Sequence, residues 1–239
     1  MGGMLALLFG ALKLGKAGGT LLTMLVSLVV YSMVFGWRFA LGFIGLIFVH
    51  EMGHFIAARQ RGLPVSAPTF IPFVGAWIEL KDKPIDVETE AYVAAAGPFV
   101  GTVAATLIYF WGSHTDSGLL LAIAYSGFFL NFFNLIPLPP LDGGRITAIL
   151  SPRIWFIGAP LMVAMMFYSP SPLLILITIA ALPALKQAWH YDPAAPANQT
   201  YYAVPIGIRV EYGVFYLGLA AFLAVMTHQV HGMIHTGAG

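Results

Sequence analysis

The sequence predicts an all-α polytopic membrane protein with six or seven transmembrane helices and a short re-entrant loop or β-hairpin near residues 64–81. Composition is the first observation that predicts this class. Of the 239 residues, 59% are hydrophobic and 9% are charged, whereas a soluble domain has about 45–50% apolar and about 25% charged residues. The second observation is a series of long apolar segments. Lipid solvates such surfaces when helices satisfy the backbone polar groups.

The apolar segments fit the bilayer, because about 20 helical residues cross a hydrocarbon core of roughly 30 Å. They predict spans near residues 18–36, 39–58, 92–112, 118–137, 153–168, 171–187 and 211–230. The fifth and sixth segments are short, and Ser169-Pro170-Ser171-Pro172 separates them. This Ser-Pro sequence is either a tight loop between two spans or a break within one bent span. The count is therefore seven or six.

The distribution of basic residues predicts the orientation. With the N-terminus in the cytoplasm and seven spans, only Arg38 lies outside. The inside segments then contain Lys13, Lys16, Arg59, Arg61, Lys81, Lys83, Arg145, Arg153, Lys186 and Arg209. Cytoplasmic loops of membrane proteins carry such an excess of Lys and Arg. We expect one integral membrane domain over residues 1–239, with a catalytic core at about 39–150 and C-terminal helices at 153–239.

Residues 65–80 read VSAPTFIPFVGAWIEL, a segment too short and too interrupted by proline for a spanning helix. It is either a hairpin or re-entrant loop, or a loop on the membrane surface. Non-helical backbone at membrane depth must be buried in protein or line a wet cavity. The first alternative therefore predicts a polar site beside this segment.

Charge and cysteine content exclude two classes of partner and site. The net charge of +1 and the scattered basic residues argue against nucleic-acid binding. The chain has no cysteine, so a metal must be held by imidazole and carboxylate groups. The histidines at 228, 231 and 235 recur at helical spacing near the C-terminus, where a solvated helix end explains them more simply than a metal site.

The motif His50-Glu51-Met52-Gly53-His54 follows the apolar run FALGFIGLIFV. The i, i+4 spacing places both imidazoles on one helical face, where they can share a zinc ion, and it places Glu51 to accept a proton from the activated water. A carboxylate within a membrane helix costs a few kcal/mol by insertion scales and indicates a functional site. The motif therefore predicts His50 and His54 as metal ligands and Glu51 as a catalytic base.

A catalytic zinc site needs a third protein ligand and an open fourth position. Apart from acids in polar loops, the candidate is Asp142, in the segment NLIPLPPLDGGR at residues 134–145. Its prolines and the Gly143-Gly144 pair predict a broken helix. The alternative is that Asp142 caps a short helix over GRITAIL.

Three segments together resemble the site-2 protease family of intramembrane zinc metalloproteases. They are HEMGH at 50–54, AAAGP at 94–98 and NLIPLPPLDGG at 134–144, and they cover a core from about residue 41 to 149. The resemblance implies His50, His54 and Asp142 as the ligands of one Zn²⁺ per chain and Glu51 as the catalytic glutamate. It also implies that Asn134 holds the substrate strand or stabilises the oxyanion.

The resemblance implies hydrolysis of peptide bonds within or near transmembrane segments of membrane proteins. The partners are then the lipid bilayer and a substrate with a transmembrane helix. The absence of targeting signals favours a prokaryotic plasma membrane, and the distribution of basic residues predicts an active site toward the cytoplasm. No inserted PDZ or CBS domain is visible, as expected of a minimal member. One departure is Gly101, where the family pattern after Ala-Gly-Pro leads to asparagine.

Two alternatives remain open from the residues alone. One is a membrane metal-binding or transport protein that uses the same histidines without proteolysis, although transport would favour polar residues on several spans. The other is a membrane zinc hydrolase whose third ligand is a downstream glutamate. Glu211 is the one glutamate after Glu90, so the sequence offers little for that ligand.

Overall fold

A computed structural model describes residues 15–66, 68–72, 75–77 and 84–236. The elements in chain order are α1 (Gly15–Phe35), α2 (Trp37–Gln60), β1 (Thr69–Ile71), β2 (Gly75–Trp77), α3 (Val87–His114), α4 (Gly118–Asn134), α5 (Asp142–Thr147), a 3-10 turn (Pro152–Ile154), α6 (Trp155–Tyr168), α7 (Pro172–Trp189), α8 (Pro196–Tyr201) and α9 (Ile206–Thr236). Within these residues, the fold is all-α apart from one small hairpin, which confirms the predicted class.

Seven apolar helices coincide with the seven predicted segments. In the described residues, five of them (α1, α2, α3, α7 and α9) are long and apolar enough to cross a membrane, while α4 and the segment containing α6 are shorter. Large apolar side chains lie exposed on these helices, as lipid-facing residues do. The chain is an integral membrane protein.

The Ser-Pro sequence between the fifth and sixth segments forms a tight connection between two helices. Helix α6 ends at Tyr168, α7 begins at Pro172, and the two helices pack against each other. Ser171 caps α7, because its hydroxyl accepts a hydrogen bond from the Leu173 N–H at 3.2 Å. Of the two alternatives, the structure favours two separate helices over one bent segment.

Helix α3 lies between α2 and α4 and packs closely along both. Small residues make this possible: a side chain at Gly53 of α2 would meet the Ala96 carbonyl, and one at Gly127 of α4 would meet Leu46 and Ala105. Close approach through small residues is the usual packing device between membrane helices. The AAAGP segment therefore lies at a close approach of the α2 and α3 backbones.

The segment between α4 and α6 is irregular and largely buried, so its carbonyl groups need partners. Side chains from other elements supply them. The Tyr216 hydroxyl donates to the Leu135 carbonyl at 2.7 Å, and the Trp155 indole N–H donates to the Gly144 carbonyl at 2.8 Å. The Arg209 guanidinium donates to the carbonyls of Ile149 and Leu150, both at 2.9 Å. The chain can therefore leave helical geometry on both sides of α5.

The hairpin of β1 and β2 is antiparallel, with Phe70 opposite Ala76. The Phe70 N–H donates to the Thr23 hydroxyl of α1 at 3.1 Å, so α1 covers the outer edge of β1. The hairpin alternative for residues 64–81 is confirmed over these two strands. Residues 67, 73–74 and 78–83, with Lys81 and Lys83, lie outside the described part of the chain, as do residues 1–14 with Lys13.

Candidate metal centre

Helix α2 carries the first motif on its buried face. His50 and His54 lie one turn apart and both are buried, as is Glu51. The two rings are arranged edge to face, with centroids 4.8 Å apart. Glu51 interacts electrostatically with both imidazoles. The i, i+4 spacing thus brings the three side chains to one place within the helix bundle.

Asp142 reaches the same place from the first residue of α5. Its Oδ2 lies 3.2 Å from His50 Nε2 and 3.3 Å from His54 Nε2. The capping residue of α5 is Leu141, and α5 has no side-chain cap hydrogen bond. The carboxylate of Asp142 therefore faces the histidines, in contrast to the capping alternative.

The three facing atoms form a triangle of nearly equal sides, since His50 Nε2 and His54 Nε2 are 3.1 Å apart. Tetrahedral zinc with bonds of about 2.0–2.1 Å places its ligand atoms about 3.3 Å from one another. Within the described residues, His50, His54 and Asp142 are the group of histidines and acids that could hold a metal ion. Two nitrogens and one carboxylate oxygen are a ligand set that Zn²⁺ fits.

Asp142 is held in the form that a metal ligand requires. Burial by itself raises the pKa of a carboxyl group, but when the two imidazoles are protonated in the metal-free site, the charge of His54 and the hydrogen bonds from both rings outweigh it. The pKa of Asp142 therefore lies below its ordinary value. A carboxylate must be deprotonated to ligate a metal.

Each imidazole is oriented by its Nδ1. The His54 Nδ1–H donates to the Val93 carbonyl of α3 at 2.8 Å. The His50 Nδ1–H donates to Oδ1 of Asn131 in α4, also at 2.8 Å. With both protons on Nδ1, both Nε2 lone pairs point toward Asp142. Such hydrogen bonds behind the ligands fix the tautomer of metal-binding histidines.

Glycines and an ion pair hold the two halves of the site together. A side chain at Gly97 would overlap the His54 ring, and one at Gly143 would overlap the Leu135 carbonyl. Three residues after Asp142, the Nε–H of Arg145 donates to Glu90 of α3 at 3.2 Å. The Tyr201 hydroxyl donates to the other oxygen of Glu90. Helices α3 and α8 therefore anchor the end of α5.

The structure brings together four of the five residues singled out from the sequence. Asn134 ends α4, and its amide donates to the Leu130 carbonyl of its own helix at 3.0 Å. Among the described residues, no hydrogen bond joins Asn134 to His50, Glu51, His54 or Asp142. Asn131, one turn earlier, was missed by the sequence analysis. The signal was an amide within the apolar helix GLLLAIAYSGFFLNFFN, one turn before the asparagine that ends this helix.

Comparison with known proteins shows similarity to zinc peptidases in the part of the chain that contains the first motif. The model of peptidase family M50 matches residues 38–117. A zinc metalloprotease of Methanocaldococcus jannaschii is 30% identical over 138 residues, which are 55% of this chain and 40% of that protein. A probable chloroplastic zinc metalloprotease of Arabidopsis thaliana is 37% identical over 67 residues, 26% of this chain and 12% of that protein. The matches thus span less than half the length of either relative.

A solved structure, a site-2 protease from Methanocaldococcus jannaschii, aligns with 72% of this chain and 89% of that chain, at 22% identity and a TM-score of 0.48. Over part of its length, this chain is similar to peptidase family M50 and to these zinc metalloproteases. The resemblance drawn from the three motifs is confirmed. The segment matched by the M50 model contains HEMGH and AAAGP but ends before Asp142. The assignment of Asp142 as a candidate third ligand therefore rests on the geometry of α5.

Proposed function

We propose that this chain is an intramembrane zinc metalloendopeptidase that cleaves peptide bonds within or near transmembrane segments of membrane proteins. The observation that carries the proposal is the convergence of His50, His54 and Asp142 on one point, beside Glu51. The match to peptidase family M50 and the similarity to two zinc metalloproteases support the same activity.

Each residue has a distinct role in the proposed mechanism. His50, His54 and Asp142 would hold Zn²⁺, which would acidify a water molecule and polarise the scissile carbonyl. Glu51 would accept a proton from the water as the water oxygen attacks the carbonyl carbon. Glu51 would then give this proton to the leaving amine as the C–N bond breaks.

The position of charged groups favours catalysis over transport. Among the described residues, the buried side chains that can ionise in the physiological range are His50, Glu51, His54 and Asp142, all at one site. A transport path would need polar groups along several spans. The clustering supports an enzyme with one chemical centre. The rival zinc hydrolase is also disfavoured, because Glu211 is not part of the group of described residues that could hold a metal ion.

We propose that the site lies toward the cytoplasmic side of a prokaryotic plasma membrane. His54 lies near the end of α2, where Arg59 and Arg61 follow, and Asp142 is close to Arg145. Basic residues concentrate on the cytoplasmic side of membrane proteins. The site therefore lies at the level of the basic helix ends, within reach of water from that side.

Metal removal tests the proposal. The detergent-purified protein should contain about one zinc per chain by elemental analysis and should cleave a peptide that contains a transmembrane segment. Dialysis against a chelator should remove both the zinc and the cleavage, and added Zn²⁺ should restore both. A protein that is purified without metal and binds none, or cleavage that persists in zinc-free protein, would contradict the proposal.

The hairpin is proposed to hold the substrate in an extended form, because a helix hides its carbonyls in hydrogen bonds. Phe70 directs its N–H to α1, so its partner Ala76 directs its backbone N–H and C=O away from β1, as antiparallel pairing requires. Strand β2 lies near α2, the helix with the two proposed histidine ligands. A substrate strand could pair there.

Ala76→Pro removes the outward N–H and should lower kcat/KM for the transmembrane peptide by about 3- to 10-fold, the value of one backbone hydrogen bond. Ala76→Val keeps the N–H and is the matched control. Zinc content should not change in either variant. Equal cleavage by both variants and the wild type would exclude substrate pairing at this edge.

A further inference from the structure

The His50 imidazole is oriented by a hydrogen bond to one buried side chain, that of Asn131. Asn131 is 1% exposed and its Oδ1 accepts the His50 Nδ1–H at 2.8 Å. The other end of the amide is also fixed, because Nδ2 donates to the Gly127 carbonyl at 2.7 Å. A carbonyl can only accept, so Nδ2 must face Gly127 and Oδ1 must face His50.

This arrangement determines where the His50 proton lies. Because Asn131 Oδ1 accepts a hydrogen bond from Nδ1, the ring proton of His50 must be on Nδ1. The lone pair of Nε2 then remains free and faces Asp142. His54 is fixed in the same tautomer by the backbone carbonyl of Val93, which no substitution removes. Of the two imidazoles, only His50 depends on a side chain for its orientation. A substitution of Asn131 can therefore test how the His50 imidazole is oriented.

Gly101 supplies the space for the amide. A Cβ atom at Gly101 of α3 would overlap Oδ1 and crowd Nδ2 of Asn131. The residue that departs from the family pattern thus lies directly against the amide that orients His50. A larger side chain at position 101 would have to occupy the volume that the Asn131 amide fills.

We infer that Asn131 is a positioning residue of the metal centre, which holds the His50 imidazole in the metal-binding tautomer, and that Gly101 is required because it leaves room for this amide. The inference rests on the proposed zinc site and adds a residue on a third helix to it. Asn131 acts through His50 and does not touch the metal or the substrate.

The test is a double-mutant cycle read by zinc affinity. Asn131→Ala should weaken zinc binding by about 10- to 100-fold, as measured by competition with a chromophoric chelator. This is the usual loss of affinity when the hydrogen-bond partner of a metal-ligating histidine is removed. Gly101→Ala should weaken it by a similar factor, because its methyl group displaces the amide. The double variant should bind no more weakly than Asn131→Ala alone, since the truncated side chain leaves room for the methyl group.

Two controls separate positioning from general packing. Gly45→Ala lies on the metal-bearing α2 with open space around it, and Asn134→Ala removes the next amide of α4. Both should keep the zinc affinity of the wild type. Histidine ¹⁵N spectra of the zinc-free protein should show the His50 ring protonated at Nδ1 in the wild type and a mixture of tautomers in Asn131→Ala.

The outcomes distinguish this inference from the proposed function. If the wild type binds no zinc, the proposed metal site itself fails. If the wild type binds zinc and the folded Asn131→Ala and Gly101→Ala variants bind it equally tightly, only the role of Asn131 is overturned. Additive losses in the double variant would show that Gly101 acts independently of Asn131 and would overturn the second half of the inference.

Discussion

Glu51→Gln should abolish most cleavage while the protein keeps its zinc. The amide has nearly the same size as the carboxylate, but it cannot accept the proton of the attacking water. General-base catalysis contributes roughly 10²- to 10⁴-fold to such reactions. We therefore expect kcat to fall by about that factor. The zinc content should stay at that of the wild type, because the proposed ligands are His50, His54 and Asp142.

The measurement pairs single-turnover cleavage of a transmembrane peptide with zinc analysis of the same samples. Glu88→Gln is the matched control, since Glu88 is a partly exposed glutamate on α3 whose described partner is Arg61. A Glu51→Gln variant that cleaves at the wild-type rate would remove Glu51 from the mechanism. Retained zinc without cleavage in the wild type itself would favour the alternative of a metal-binding or transport protein.

The sequence predicted most of the fold because the bilayer imposes it. A span must be a helix of about 20 apolar residues, so length and composition place the helices without knowledge of their packing. The sequence could not decide between one bent segment and two helices near Ser169, because both satisfy the backbone of the flanking residues. The packing of α6 on α7 decides it.

The first motif could be predicted because its geometry is local. Residues four apart share a helical face wherever the helix lies, so His50 and His54 needed no tertiary information. Asp142 needed more, since 88 residues separate it from His54 in the chain, and elimination left the capping alternative open. The distances to both Nε2 atoms favour the ligand interpretation over that alternative.

Asn131 could not be assigned from the sequence because its role depends on three helices at once. The residue meets His50 of α2 and lies over Gly101 of α3, while its own helix places Gly127 one turn earlier. From the sequence, Gly101 was only a departure from the family pattern. The physical reason for the glycine becomes visible once the amide from α4 is seen in the same space.

Asp142→Asn should remove zinc from the protein at ordinary concentrations. The variant keeps the shape of the side chain at the start of α5, but a neutral amide replaces the charged oxygen that lies 3.2 and 3.3 Å from the two Nε2 atoms. Loss of the hydrogen-bond partner of a metal-ligating residue already lowers metal affinity by about 10- to 100-fold. Loss of a ligand should therefore exceed about 100-fold, and cleavage should disappear with the metal.

The matched control for this substitution is Asp116→Asn, which changes the same groups in the loop between α3 and α4. Asp116 has a φ of 47°, a conformation that asparagine also adopts readily. The control should keep zinc and cleavage. If Asp142→Asn also keeps its zinc, the third ligand lies elsewhere, and the near-equal triangle at the site would reflect only hydrogen bonding between the carboxylate and two histidines. Loss of zinc from Asp142→Asn alone would assign the third ligand to the segment that the M50 match does not reach.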